Sequence, residues 1–232
     1  MEAQIVPLQK EKHANTKIKD DPGFAHVKDQ HIVPVVVHEF VRASNDFPIV
    51  FVKNNESGQF RAVVMLGFKQ GENYFAGSAW KGVYIPAAIT HYPLALVPDM
   101  QNPGQLMVAV NEASDRVGDE EGHALFEAGE PSAFLERKKE SLGRFIESDQ
   151  ITQAFVTKLN ELELLENRTL NLKLQGDEYN IGGIYMVNEK ALNELSDEAF
   201  GELRKRGFLP LVYAHLASLH QVNRLADKKI NG

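Results

Sequence analysis

The order of apolar and polar positions changes period partway along the chain, and that change predicts the architecture. Residues 32–41, Ile32-Val33-Pro34-Val35-Val36-Val37-His38-Glu39-Phe40-Val41, are a β-branched run with Pro34 inside it, which predicts an edge strand because proline cannot donate to a central ladder. Asn45-Asp46-Phe47-Pro48 predicts a turn. Ile49 to Lys53 and Phe60 to Phe68 are apolar runs of strand length separated by Asn54-Asn55-Glu56-Ser57-Gly58, the pattern of a β-hairpin. A turn at 70–73 leads to the expected start of another strand at Tyr74 to Ala76. After turn chemistry at 99–104, Leu106 to Val110 predicts a further short strand.

Beyond an acidic loop at 115–122, the period becomes helical. Ser132 is the expected N-cap of a helix whose apolar side carries Phe134, Leu135, Leu142, Phe145 and Ile146. A second helix is expected after Ser148-Asp149, with Ile151, Phe155, Leu159 and Leu162 three or four apart. Leu170, Leu172 and Leu174 then alternate with polar residues, Gly176-Asp177 turns the chain, and Tyr179 to Val187 returns as the partner strand, with a bulge or close approach at Gly182-Gly183. Ser196 caps a short helix closed by Arg204-Lys205-Arg206-Gly207, and Pro210 opens a last helix with Val212, His215, Leu216, Leu219 and Val222 on one face. The fold class expected is α+β: a mainly antiparallel sheet in the first half, helices plus a late β-hairpin in the second. The expected organisation is a single domain over 1–232, or two packed lobes, a β-rich 1–118 and an α+β 119–232.

One stretch fits neither period. Residues 80–94, from Trp80 to Leu94, hold the only tryptophan, two tyrosines and two prolines. Each proline disfavours helix at the residue before it, so Ile85 and Tyr92 are expected to be non-helical and the stretch to be a rigid, largely extended aromatic connector. Two readings follow: an ordered connector crossing the core, or an aromatic binding surface lined by Trp80, Tyr84, His91 and Tyr92.

Composition narrows the function classes. Apolar residues at 43% and charged residues at 25% are ordinary for a globular protein. The net charge of −7, with bases scattered among acids, gives no basic stripe to neutralise phosphates, so nucleic-acid binding is disfavoured. No cysteine is present, which excludes disulfides, thiolate metal sites and cysteine nucleophiles. The first residues lack a basic region followed by an apolar run, and 18 apolar residues never occur in succession. The expectation is a soluble chain with no membrane span, acting in the cytoplasm, or exported without a cleaved signal peptide.

Candidate chemistry is thin. Eight histidines invite a metal site, yet His215 and His220 are five apart and no His-Glu-x-x-His spacing occurs. His31, His38 and Glu39, with His91, form a metal site only if the fold gathers them. His215, on an apolar stripe, is expected to be a hydrogen-bonded core histidine. The acids at 115–130 fail the calcium-loop order, and no Walker loop, dinucleotide fingerprint or Gly-x-Ser-x-Gly elbow is present. Ser218 and His215 lie one turn apart but without a visible third group or oxyanion hole.

With these residues in view, the chain resembles the SapC family of bacterial proteins over nearly its whole length. The carriers are Val33-Pro34-Val35 with Glu39-Phe40, Phe47 to Phe51, Trp80 with Tyr84-Ile85-Pro86 and Tyr92-Pro93, Gly122 to Phe126 with Glu130-Pro131, and the late series Leu192, Leu195, Leu203, Gly207, Tyr213 to Leu216 and Ser218-Leu219. The sequence departs from the family pattern at Thr90, His91 and Leu94, where members favour Arg, Arg and Phe. The resemblance implies a link to bacterial surface layers, and a genetic setting of outer-membrane receptors, flavin-dependent halogenases and cupin-like oxygenases that points to peptide or glycan handling. It transfers no catalytic residue and no cofactor. The function expected is a soluble, non-enzymatic accessory or binding protein whose partner is a peptide, a glycan or an envelope protein. The alternatives are a metal-assisted enzyme acting on peptides and a self-associating structural subunit.

Overall fold

The computed structural model describes residues 4–231. The fold is α+β, with antiparallel sheets and a helical C-terminal region. Contacts group the chain into two compact units, and neither is a continuous stretch: one comprises residues 1–22 and 89–147, the other 23–88 and 148–232. No helix among the described residues is long and apolar enough to cross a membrane.

The smaller unit holds the three-stranded antiparallel sheet Ile5–Pro7, Leu106–Asn111, Leu94–Pro98, in that spatial order. The short strand Lys17–Ile18 pairs on either side with Val117–Gly118 and His123–Ala124. The N-terminal arm is thus paired into this unit by main-chain hydrogen bonds. Its core is Ile18, Leu94, Val110, Leu125, Leu135 and Leu142, all buried. Ser132 ends an extended segment and caps the helix Ala133–Glu161: its Oγ accepts from the Leu135 N–H at 3.1 Å and donates to the Ala124 carbonyl at 2.6 Å. With Ser132 only 3% exposed, Ser132→Ala is expected to lower stability by about 1–2 kcal/mol, read from the shift of a urea unfolding midpoint.

The larger unit is built on a five-stranded antiparallel sheet ordered Leu165–Leu174, Asp177–Val187, Ile49–Lys53, Phe60–Met65, Ile32–Pro34. The hairpin expected at 49–68 forms, in the register Ile49↔Val64 to Lys53↔Phe60. Ile32–Pro34 lies at the sheet edge, where Pro34 needs no ladder partner. The late hairpin turns through Gln175 and Gly176, both at positive φ, and its register shifts between Arg168 and Leu170 opposite the Gly182-Gly183 pair. Phe40, Phe51 and Phe155 are fully buried, and the Phe155 ring meets those of Phe40, Phe51 and Phe208.

Four expectations are corrected. The edge strand ends at Pro34, and residues 37–43 form a 3-10 turn and a short helix, because Val37 N–H is taken by Thr152 Oγ1 at 2.9 Å rather than by a neighbouring strand. Tyr74 to Ala76 is not a strand: the Asn73 side-chain oxygen accepts from the N–H groups of Phe75 and Ala76 and turns the backbone there. The two helices expected across Ser148-Asp149 are one helix, Ala133–Glu161. Neither residue breaks it, since Ser148 is buried and its carbonyl also accepts from Thr152 Oγ1. The last helix divides into Leu209–Ser218 and Gln221–Asn231, and a helix at Glu189–Asn193, capped by the Asn188 side chain, was not expected.

Candidate functional site

The connector 80–94 is irregular, with one helical turn at Ala87–Thr90, so it is less extended than its prolines imply. Trp80 and Tyr84 belong to the larger unit, whereas His91 and Tyr92 belong to the smaller one.

In the larger unit the connector is held by two buried carboxylates. Glu39, 2% exposed, accepts from Val36 N–H at 3.1 Å and, through its other oxygen, from Tyr84 Oη and Ala87 N–H at 2.7 Å each. Asp46, fully buried, accepts from Tyr84 N–H at 2.6 Å and faces the Arg224 guanidinium at 2.8 Å. Burial and the bond to Glu39 push the Tyr84 hydroxyl pKa up, so it stays a donor. Trp80 Nε1 donates to the Tyr84 carbonyl at 2.8 Å, and its ring stacks on Phe75 and meets Phe24 edge-on. Gly82 is required here: a Cβ would come within 2.7 Å of Trp80 Nε1. The polar atoms of Trp80 and Tyr84 are therefore spent inside the protein.

What the connector presents instead is charge and an exposed tip. Val83 is 86% exposed and Lys81 lies beside it. Lys228, on the final helix, donates to the Lys81 carbonyl at 2.8 Å and lies 4.7 Å from the centre of the Phe75 ring. Arg42 lies 5.1 Å over the Tyr84 ring, next to the exposed Val41. Arg42, Lys81, Arg224 and Lys228 thus lie along the connector, with the buried Asp46 carboxylate engaged by Arg224. Burial, then the neighbouring Arg224 and Lys81 charges, hold the Lys228 ammonium below its ordinary pKa.

In the smaller unit His91 is buried, its Nε2 is 3.0 Å from Ser141 Oγ, and its ring meets Phe145 edge-on. Burial, reinforced by Lys138, pushes its pKa down to about 4, so it is neutral near pH 7. Tyr92 is half-buried, and its carbonyl accepts from Arg116 at 3.0 Å.

The metal alternative needed convergence. Glu39 is spent on the connector, His38 is exposed and His31 is half-buried, with burial lowering its pKa. Among the described residues no three His, Asp or Glu side chains gather to hold an ion. Ser218 donates to the main-chain carbonyl of His215 at 2.6 Å, so the two do not form a nucleophile pair through the imidazole.

Sequence reasoning missed Asp46, Arg42, Arg224 and Lys228. The one local signal was Trp80-Lys81-Gly82, a glycine two residues after the tryptophan that leaves room for its indole. No curated protein and no solved structure matches this chain. A family model described as SapC matches residues 8–225, and on that coverage the chain belongs to the SapC family.

Proposed function

We propose that this protein is an accessory binding protein of bacteria, without catalysis of its own, that acts in the cytoplasm in an envelope-linked or peptide-handling pathway and docks an acidic protein segment. The docking surface is the Trp80–Ala88 part of the connector with the final helix. The observation that carries this reading is the gathering of Arg42, Lys81, Arg224 and Lys228 beside exposed Val41 and Val83 in a chain of net charge −7. Lys228, whose proton affinity is lowered by burial and then by the Arg224 and Lys81 charges, gains from an incoming carboxylate. Buried aromatic anchors beneath them fix the backbone, so little order is lost on binding. Arginine and exposed apolar groups on such a base are the composition of protein interfaces.

The experiment is titration of the full chain with a synthetic peptide alternating Glu and Leu, at two salt concentrations. Binding that weakens with salt, and falls about tenfold or more in Arg42→Glu and Lys81→Glu, is the expected result. Binding that ignores both reversals overturns the reading. So does binding to phosphatidylglycerol vesicles in place of the peptide.

A further inference from the structure

The sheet of the larger unit ends in an uncovered strand. Leu165–Leu174 is the outermost of its five strands and is paired on one side only, with Asp177–Val187. Among the described residues no other strand or loop hydrogen-bonds the main chain on its outer side. Which groups are left free follows from alternation. The Asn188 N–H donates to the Leu164 carbonyl at 2.8 Å, and Leu174 stands opposite Asp177 across a two-residue turn, so the even-numbered residues of the strand bond inwards. The bulge puts its extra residue in the inner strand, where Gly182 and Gly183 stand against Thr169, and the outer strand keeps its period. The N–H and C=O groups of Leu165, Asn167, Thr169, Asn171 and Lys173 therefore point outwards.

The other edges of this protein are closed to a further strand. Ile5–Pro7, Leu94–Pro98 and Ile32–Pro34 are edge strands too, and each is short and ends in a proline, which withholds a donor from any addition. Leu165–Leu174 has ten residues, no proline and no bulge of its own. Its two faces differ. Leu170, Leu172 and Leu174 are half-buried on one face, where Ile181 and Tyr179 stand opposite the first two, whereas Asn167, Thr169, Asn171 and Lys173 are exposed on the other. An added strand has to match that alternation.

We propose that Leu165–Leu174 pairs with the same strand of a second copy, antiparallel about a two-fold axis at Leu170, so that two five-stranded sheets become one. In that register the strand is its own complement over 166–174. Leu170 faces its copy at a position without cross-strand hydrogen bonds, where side chains approach closest. Arg168 lies against Leu172 of the other copy, its stem covering the leucine, and Glu166 lies against Leu174. On the polar face Thr169 meets Asn171 and Asn167 meets Lys173, and these outward-pointing pairs exchange the main-chain bonds. No like charges adjoin. An axis at Arg168 or Lys173 would set a cation on its own copy, and one at Thr169 would bring the two Arg168 side chains together on the diagonal. This match names the occupant, and it makes no use of the connector surface.

The test uses the full chain. Sedimentation equilibrium from about 1 to 200 µM is expected to show monomer passing to dimer, with a dissociation constant of roughly 1–100 µM for an interface confined to one strand. Thr169→Pro deletes an outward N–H without touching the inner ladder, and is expected to weaken the dimer about tenfold or more. Leu170→Lys sets two like charges on the axis and is expected to do the same, with thermal melts showing both variants folded. Crosslinking reads the register. The chain has no cysteine, so Leu170→Cys supplies one thiol per copy. It is expected to oxidise to a linked dimer, because opposed residues of this kind lie about 4.5 Å apart at Cα. Asn167→Cys, far from its own copy in this register, is expected not to link. A chain that stays monomeric at about 200 µM overturns the proposal, even where a foreign peptide adds to the same edge. So does a dimer that survives both Thr169→Pro and Leu170→Lys, or one that links through Asn167→Cys but not Leu170→Cys. A dimer abolished by Arg42→Glu and Lys81→Glu overturns it as well; those reversals belong to the connector surface, so this proposal and the acidic-partner reading fail separately.

Discussion

Glu39→Ala is expected to cost about 3–5 kcal/mol of stability, the largest effect of any single substitution considered for this protein. The carboxylate is 2% exposed and accepts three hydrogen bonds, from Val36 N–H, Tyr84 Oη and Ala87 N–H. Alanine leaves three donors facing a cavity, and an unsatisfied buried donor costs about 1–3 kcal/mol. Glu39→Gln keeps an acceptor for some of them but turns an NH2 group towards the rest, so its expected loss is smaller. Tyr84→Phe removes one donor together with its bond, and is expected to cost about 1–2 kcal/mol. Because both changes delete the same contact, the double variant should lose less than the sum of the two singles. Urea unfolding measures all three. Fluorescence adds a second readout, since Trp80 donates to the carbonyl of Tyr84 and its surroundings should change when the connector loosens. An Ala variant as stable as the wild type would mean that the connector is not held by this carboxylate.

The second large effect is a dependence of stability on pH that originates at His215. The imidazole is fully buried and stands between two strands: its Nδ1 donates to the Ile49 carbonyl at 2.8 Å, and its Nε2 accepts from Val187 N–H at 3.0 Å. Direct pairing of those strands is confined to Ile184↔Val52 and Tyr185↔Phe51, so the ring extends the ladder beyond the point where the backbones stop touching. Ser218 Oγ accepts from the Ile49 N–H, so one helix serves both main-chain groups of that residue. The arrangement admits only the neutral ring, and burial pushes its pKa down to about 4. The unfolded chain takes up this proton near pH 6.5 and the folded one near 4, so the stabilisation is complete above pH 6.5 and is lost as pH falls towards 4. The slope is about 1.4 kcal/mol per pH unit, summing to roughly 3 kcal/mol over the window. His215→Leu should be strongly destabilised at pH 7, with the carbonyl of Ile49 and the N–H of Val187 left without partners, and should lose this share of the slope. Unfolding midpoints followed by Trp80 fluorescence from pH 7.5 to 4.5 give the comparison; equal slopes in the two proteins would refute it.

His215 also shows how far a sequence can be read. Its place on an apolar stripe marks it as a core histidine, and the structure buries it. Its partners, Ile49 and Val187, lie 166 and 28 residues away, and no local pattern names them. The same division runs through the fold. The hairpin 49–65, the late hairpin, the Ser132 and Ser196 caps and the edge position of Pro34 follow from neighbouring residues and were legible. The continuity of Ala133–Glu161 was not, because Ser148 and Asp149 imitate a helix start where burial and packing carry the helix through. The break after Ser218 was not legible either, since the apolar face at 212–222 continues across it. At the connector the aromatic content was conspicuous, but what fixes it, Glu39 and Asp46, lies 45 and 38 residues before Tyr84.

The interleaving of the two units has a consequence for how the chain is made. A ribosome delivers residues 23–88 early, yet the rest of their unit, 148–232, comes only after the whole of 89–147. At about 5–20 residues per second, the strand Ile49–Lys53 waits several seconds or more for Asp177–Val187. The smaller unit is complete in sequence once residue 147 has emerged, whereas the larger one is then a nascent fragment with an apolar strand face uncovered. Vectorial synthesis therefore puts the exposed interval on the larger unit. Its strand Ile49–Lys53 is where a chaperone would find the growing polypeptide most in need of cover.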